Sequence, residues 1–138
     1  YANKLGATKI VDAATLTGAC VVALGHAASA AVSTNDSFAD TFLAAAKPTG
    51  ERYWRMPLYD EYTKAMKSDI ADLKNTGGRA AGTLTAAAFL KAFVGDTPWV
   101  HLDVAGTAYL ENESAWQAKG PTGTPVRAFV SLAEALAR

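Results

Sequence analysis

The sequence predicts a layered α/β fold, a sheet flanked by helices, on three observations. Short apolar runs bounded by glycine recur in the first quarter of the chain. Helical stripes with end signals follow them, and a near-continuous apolar run, residues 99–104, returns late between Pro98 and Gly106. Strands, then helices, then a strand covered on both faces suit a sheet layered with helices.

The elements follow in order. Residues 9–13 read as a short buried strand, and residues 19–24 and 28–33 read as two more, punctuated by Gly18 and Gly25. Phe38, Thr41, Phe42 and Ala45 recur at helical spacing, with Ser37 as N-cap, Asp40 in the first turn, Lys47 in the last and Pro48 beyond. Pro57 sits at a first helical position, with Tyr59, Tyr62 and Met66 along one face of a second helix. Residues 69–74 are ambiguous, and residues 75–82, with three glycines, read as a loop. A third helix carries Ala86, Phe89, Leu90 and Phe93 on its apolar face, with Gly95 past its end. Residues 111–119 are polar and read as a surface excursion. Thr124 caps and Pro125 begins a last helix striped by Phe129, Leu132, Ala133 and Leu136.

With 138 residues and half of them apolar, the chain suits one domain with one core. The charges balance at 13 against 13, which gives no field to attract nucleic acid or a membrane surface. No run approaches the ~20 apolar residues that span a bilayer. Cys20 is the only cysteine, so neither an internal disulfide nor a zinc finger can form. The opening segment, Tyr1-Ala2-Asn3-Lys4-Leu5-Gly6, lacks signal-peptide character. It reads as a helix tail capped by Gly6, with the expectation that the chain is a piece of something longer.

Candidate chemistry is sparse. The Thr15-Leu16-Thr17-Gly18 segment follows a strand, where ligands of open α/β sheets gather, although on the residues alone an ordinary hydrogen-bonded turn between two strands is the better explanation. Val104-Ala105-Gly106-Thr107-Ala108 leaves the late strand with only small side chains, which admits either a ligand or close backbone packing. His101 and Asp103 share a strand face, too few ligands for zinc, and read as a buried His–Asp pair satisfied by hydrogen bonds. His26 reads as structural and Cys20 as a small core residue. Gly77-Gly78-Arg79 lacks the Walker pattern, and the glycines around residue 18 do not make a dinucleotide fingerprint.

Five blocks in order carry a resemblance: Asp12-Ala13-Ala14-Thr15-Leu16-Thr17-Gly18, Trp54-Arg55-Met56-Pro57-Leu58, Ala71-Asp72-Leu73-Lys74-Asn75, His101-Leu102-Asp103-Val104-Ala105-Gly106-Thr107-Ala108 and Lys119-Gly120-Pro121-Thr122-Gly123. Together they resemble the C-terminal part of the leucyl aminopeptidase (cytosol aminopeptidase, M17) catalytic domain, from about residue 10 to residue 136. The resemblance implies that residues 1–138 are the C-terminal portion of a single α/β peptidase domain and a partial copy of that fold. It implies a two-metal aminopeptidase acting on peptide N-termini, with zinc plus manganese or magnesium, and bicarbonate as a further ion. It makes the Leu16 carbonyl and the Gly18 N–H partners of the substrate backbone, Thr15 a wall of the side-chain pocket, and Ala105 and Ala108 its lining. Some relatives carry methionine where this chain has Ala108, so the pocket here is expected to be roomier.

The family's Asn-Thr-Asp-Ala-Glu-Gly-Arg metal segment does not occur in the chain. The metal ligands, catalytic lysine and bicarbonate-binding arginine are therefore expected upstream, so the chain contributes no catalytic or metal residue and is expected to be inactive alone. A homo-oligomer, hexameric in the family, and a cytoplasmic location are further implications. Two other readings stand beside this one: a non-enzymatic assembly module derived from the peptidase fold, and a small-anion-binding α/β domain.

Overall fold

A computed structural model describes residues 1–137. Its centre is a four-stranded mixed sheet of β1 (Ile10–Ala14), β2 (Ser29–Ser33), β3 (Tyr53–Arg55) and β4 (Trp99–Asp103), in the order β1-β4-β2-β3. β1 runs parallel to β4 with Ala14 beside Asp103, β2 runs antiparallel to β4, and β3 runs parallel to β2. The late apolar run becomes the strand next to the β1 edge, and all five of its residues are buried.

Alternation along β4 separates two cores. Val100, Leu102 and Val104 pack with Phe38, Phe42 and Leu132 beneath α2 (Asp36–Ala46) and α5 (Val126–Leu136). Trp99 packs on the other face with Val32, Leu84, Ala87 and Val94. That face is covered by α1 (Gly18–Leu24), α3 (Asp60–Ala65) and α4 (Gly82–Lys91), so the sheet lies between two helical layers. A small ribbon of β5 (Tyr109–Leu110) and β6 (Gly120–Pro121) flanks the polar excursion, most of which is exposed.

Several expectations are corrected. Residues 19–24 form helix α1 rather than a strand. Short apolar runs are ambiguous, and the extended Thr17 resolves this one by accepting the Cys20 N–H on Oγ1 at 3.0 Å as an N-cap. The cap of α2 is Asn35, not Ser37, and its Oδ1 accepts the Phe38 N–H at 2.8 Å. β3 occupies residues placed ahead of the second helix, which starts at Asp60 rather than at Pro57.

The buried face of α4 is Thr83, Leu84, Thr85, Ala87 and Ala88, whereas Phe93 is 69% exposed. At the first turn of α4 a Cβ on Gly82 would come within 2.8 Å of the Ala19 Cβ of α1, while Leu84 and Ala87 pack with Val32 and Trp99 of the sheet. The glycine at the α1 contact allows close helix packing, and Phe93, just past the end of α4, turns outward while Phe89 is partly buried. In α5, Ala128 and Leu132 are buried and Phe129 is partly buried, while Ala133 and Leu136 are exposed. Pro125 occupies the cap position of α5 without a side-chain bond, and the Thr124 side chain does not supply one.

Candidate functional site at the carboxyl rim of β1 and β4

Because β1 and β4 are parallel neighbours in register, both deliver their following loops to the same rim of the sheet. The Val104 N–H donates to the Ala14 carbonyl at 2.9 Å, extending the ladder one step beyond the strands. The Asp103 carboxylate then bridges the two loops. Its Oδ1 accepts from the Leu16 N–H at 3.1 Å and from the Ala105 N–H at 3.2 Å, and its Oδ2 accepts from the Thr17 hydroxyl at 2.6 Å. Antiparallel β2 begins at this rim as well, where the Ser29 and Thr107 hydroxyls meet at 2.6 Å.

The five residues singled out from the sequence all lie at this rim. Thr15 and Gly18 are exposed, and Leu16, Ala105 and Ala108 are partly buried. Among the described residues, the Leu16 carbonyl takes no backbone donor and the Gly18 N–H no backbone acceptor, as first-turn amides of helices generally do not. A Cβ at Gly18 would meet nothing within 4 Å, so the space above it is open. Leu16 and Thr17 also line a depression of about 420 Å³ with loop residues 75–78 and with Thr85, Ala86, Phe89 and Leu90. Thr15, Gly18, Ala105 and Ala108 do not line it, and Ala108 leans on the α2–α5 core. A larger depression of about 790 Å³ runs along β3, beside Leu43, Lys47 and Trp54, and holds none of the five.

Close backbone approach accounts for Gly106. A Cβ there would run into the Gly25 carbonyl oxygen, and the neighbouring His26 Nδ1 lies 2.7 Å from the Gly106 carbonyl. The His101–Asp103 pair is separated: both side chains are fully buried, but each bonds elsewhere. His101 Nδ1 lies 2.7 Å from Asp12 Oδ1, and Trp99 Nε1 donates to Asp12 Oδ2 at 2.5 Å. Burial pushes the Asp12 carboxyl upward, but the His101 and Trp99 hydrogen bonds and the His101 charge outweigh it and hold the pKa below its ordinary value. His101 Nε2 is buried without a hydrogen-bond partner among the described residues.

Sequence reasoning missed Asp103 as the link between the loops and Asp12 as the partner of His101. The signal available was strand pairing: once residues 9–13 and 99–104 are aligned in parallel, Asp12 falls opposite His101. Burial also raises the Cys20 thiol pKa, reinforced by the nearby Asp103 charge. Among the described residues no three His, Cys, Asp or Glu side chains gather into a group able to hold a metal ion, so the donor set does not fit the dinuclear centre that the resemblance implies. No described helix is long and apolar enough to cross a membrane.

Comparison with known proteins bears on the family and the fold. The model of the cytosol aminopeptidase family catalytic domain matches residues 1–130. The chain is 55% identical over 133 residues to a probable cytosol aminopeptidase of Solibacter usitatus, covering 96% of this chain and 28% of that protein. It is 51% identical over 134 residues to one of Koribacter versatilis, covering 97% of this chain and 26% of that protein. Among solved structures, a mutant of tomato leucine aminopeptidase superposes with a TM-score of 0.90 at 42% identity, covering 100% of this chain and 26% of that one. The bottromycin maturation enzyme BotP in complex with Mn superposes with a TM-score of 0.90 at 39% identity, covering 95% and 29%. The chain thus spans only 26–28% of the length of these curated relatives. With the family model covering nearly all of it and the fold shared throughout, the chain belongs to the cytosol aminopeptidase family, within the catalytic domain.

Proposed function

We propose that this chain forms the peptide-binding wall of a two-metal aminopeptidase whose metal ligands lie outside these residues. The observation that carries the reading is the shared rim: residues 15–18 and 104–108 meet through Asp103, the Leu16 carbonyl and Gly18 N–H have no backbone partner among the described residues, and the space above Gly18 is open. In this reading they bond the backbone of a bound peptide, and Thr15, Ala105 and Ala108 border the site of its first side chain. An extended peptide offers an N–H and a C=O to such a pair, and a wall of small side chains leaves room for an apolar group. Since no metal set is present among the described residues, no catalytic step is drawn through this chain.

The chain alone is expected to be inactive, with activity appearing when the metal-binding part of the polypeptide is joined to it. Trp54, Ile70 and Phe93 are 66%, 98% and 69% exposed, and such surface favours association with further protein, including copies of the same polypeptide in a homo-oligomer of the cytoplasm. The test is release of p-nitroaniline from leucine p-nitroanilide with manganese. No release by the purified chain and release by the joined polypeptide is the expected pair. Turnover by the chain alone, or none by the joined protein, would refute the proposal.

A further inference from the structure

Asp103 is fully buried, and it ends the strand that lies between β1 and β2. Its carboxylate has no cationic partner among the described residues and is held by Leu16 N–H, Ala105 N–H and the Thr17 hydroxyl. A buried carboxylate without a counter-ion is costly unless its oxygens are well supplied with donors. A neutral side chain could close either turn by itself. What the carboxylate adds is acceptance on both oxygens from two chain segments 87 residues apart in sequence, Leu16 and Asp103 with its neighbour.

The arrangement also fixes direction. A carboxylate oxygen only accepts, so the Thr17 proton points at Asp103. Thr17 Oγ1 then accepts the Cys20 N–H that caps α1, and in the 3.1 Å contact with Thr83 the proton must come from Thr83. The result is a polarised chain from Thr83 on α4, through Thr17, to Asp103 on β4. Three elements are locked around the short segment that carries the Leu16 carbonyl and the Gly18 amide.

We infer that Asp103 is the positioning residue of the peptide-binding rim: one buried carboxylate sets the 15–18 segment against the 105–108 segment so that both meet the same substrate. The inference rests on the function proposed above. It acts through Leu16 and Ala105 rather than by touching substrate.

Two measurements test it. In the full 138-residue chain, amide hydrogen exchange should show Leu16 and Ala105 protected, and Asp103→Ala, which removes the shared acceptor, should release both while Val100 and Leu102 within β4 stay protected. In the metal-loaded, joined enzyme, Asp103→Ala should raise KM for leucine p-nitroanilide about tenfold with kcat changed less than about threefold, since what is lost is the alignment of binding groups. Thr17→Val leaves the Oδ1 bonds in place but removes the Oδ2 arm together with the α1 cap and the Thr83 contact, and serves if Asp103→Ala fails to fold. It should raise KM by about threefold, with Thr17→Ser restoring it. Unchanged exchange at both amides, or KM unaltered in every folded variant while only thermal stability falls, overturns the positioning role and leaves the peptidase reading standing. A wild-type joined enzyme that releases no p-nitroaniline overturns both.

Discussion

Helix α5 starts without a cap of its own, and a distant carboxylate supplies one. Glu51, with its side chain 2% exposed, accepts the Ala128 N–H at 2.9 Å and the Tyr53 hydroxyl at 3.0 Å, with Arg127 Nε at 3.4 Å. Ala128 is the third residue of α5, where an orphan amide and the positive end of the helix both favour an acidic acceptor. Burial raises the Tyr53 phenol well above its ordinary pKa, and the Glu51 charge adds to this, so Tyr53 remains a donor across the working pH range.

Replacing Glu51 by alanine removes a cap worth about 1 kcal/mol and a charge-assisted bond worth about 1.5–3 kcal/mol, while the half-exposed Arg127 contributes little. The expected loss is about 3 kcal/mol, a fall of roughly 2 M in the urea midpoint for a domain of this size. Glu51→Gln keeps an acceptor for Ala128 and should lose only about 1 kcal/mol. Urea unfolding followed by far-UV circular dichroism measures both. A loss below about 0.5 kcal/mol in Glu51→Ala would refute the capping argument, because a buried carboxylate that can be deleted so cheaply holds nothing in place.

Two glycines at the rim should separate stability from binding. Gly106→Ala forces a methyl into the Gly25 carbonyl and should cost more than about 2 kcal/mol in the same unfolding assay, whereas Gly18→Ala meets open space and should leave stability within about 0.5 kcal/mol. Asp12 has a depressed folded-state pKa, so its ionised form stabilises the fold above the ordinary carboxylate range, and that contribution disappears as pH falls through the folded value. The stability gap between wild type and Asp12→Asn should therefore narrow as pH is taken below about 4 in a denaturation series. In the joined, metal-loaded enzyme, Ala108→Met should lower kcat/KM for bulky N-terminal residues relative to alanine, as competitive assays with paired amide substrates would show. Equal loss for both would place Ala108 away from the side-chain pocket.

Where the residues alone were a sound guide, one force dominated. The run from Trp99 to Asp103 is buried on both faces and could only be an inner strand, and Phe38, Phe42 and Ala45 had one face to bury. Where two forces competed, the pattern misled. Ala19-Cys20-Val21-Val22-Ala23-Leu24 has strand composition, yet the Thr17 cap and the contact with Gly82 make it a helix that leaves Val22 90% exposed. On α4 the residues expected on the apolar face, Ala86, Phe89 and Leu90, are only partly buried, because the helix turns Leu84, Ala87 and Ala88 to the core instead.

The rim itself was readable as two small-residue loops after strands. Its linkage was not, since it depends on which strand neighbours β1, and the lone acidic residue at 103 carries no local sign that it reaches Leu16 and Thr17. Glu51 poses the same difficulty, with its partner amide 77 positions away.

The mixed strand directions leave the opposite edge of the sheet free of these constraints. There the chain enters β1 and β4 and leaves β2 and β3, and the turn at residues 95–97 is fastened mainly through Asn3, which reaches the Val94 carbonyl and the Thr97 hydroxyl. A fluorophore or affinity handle grafted at exposed Asp96 would sit a full strand length away from Leu16 and Ala105. The molecule thereby offers a place to watch or immobilise it without disturbing the rim under study.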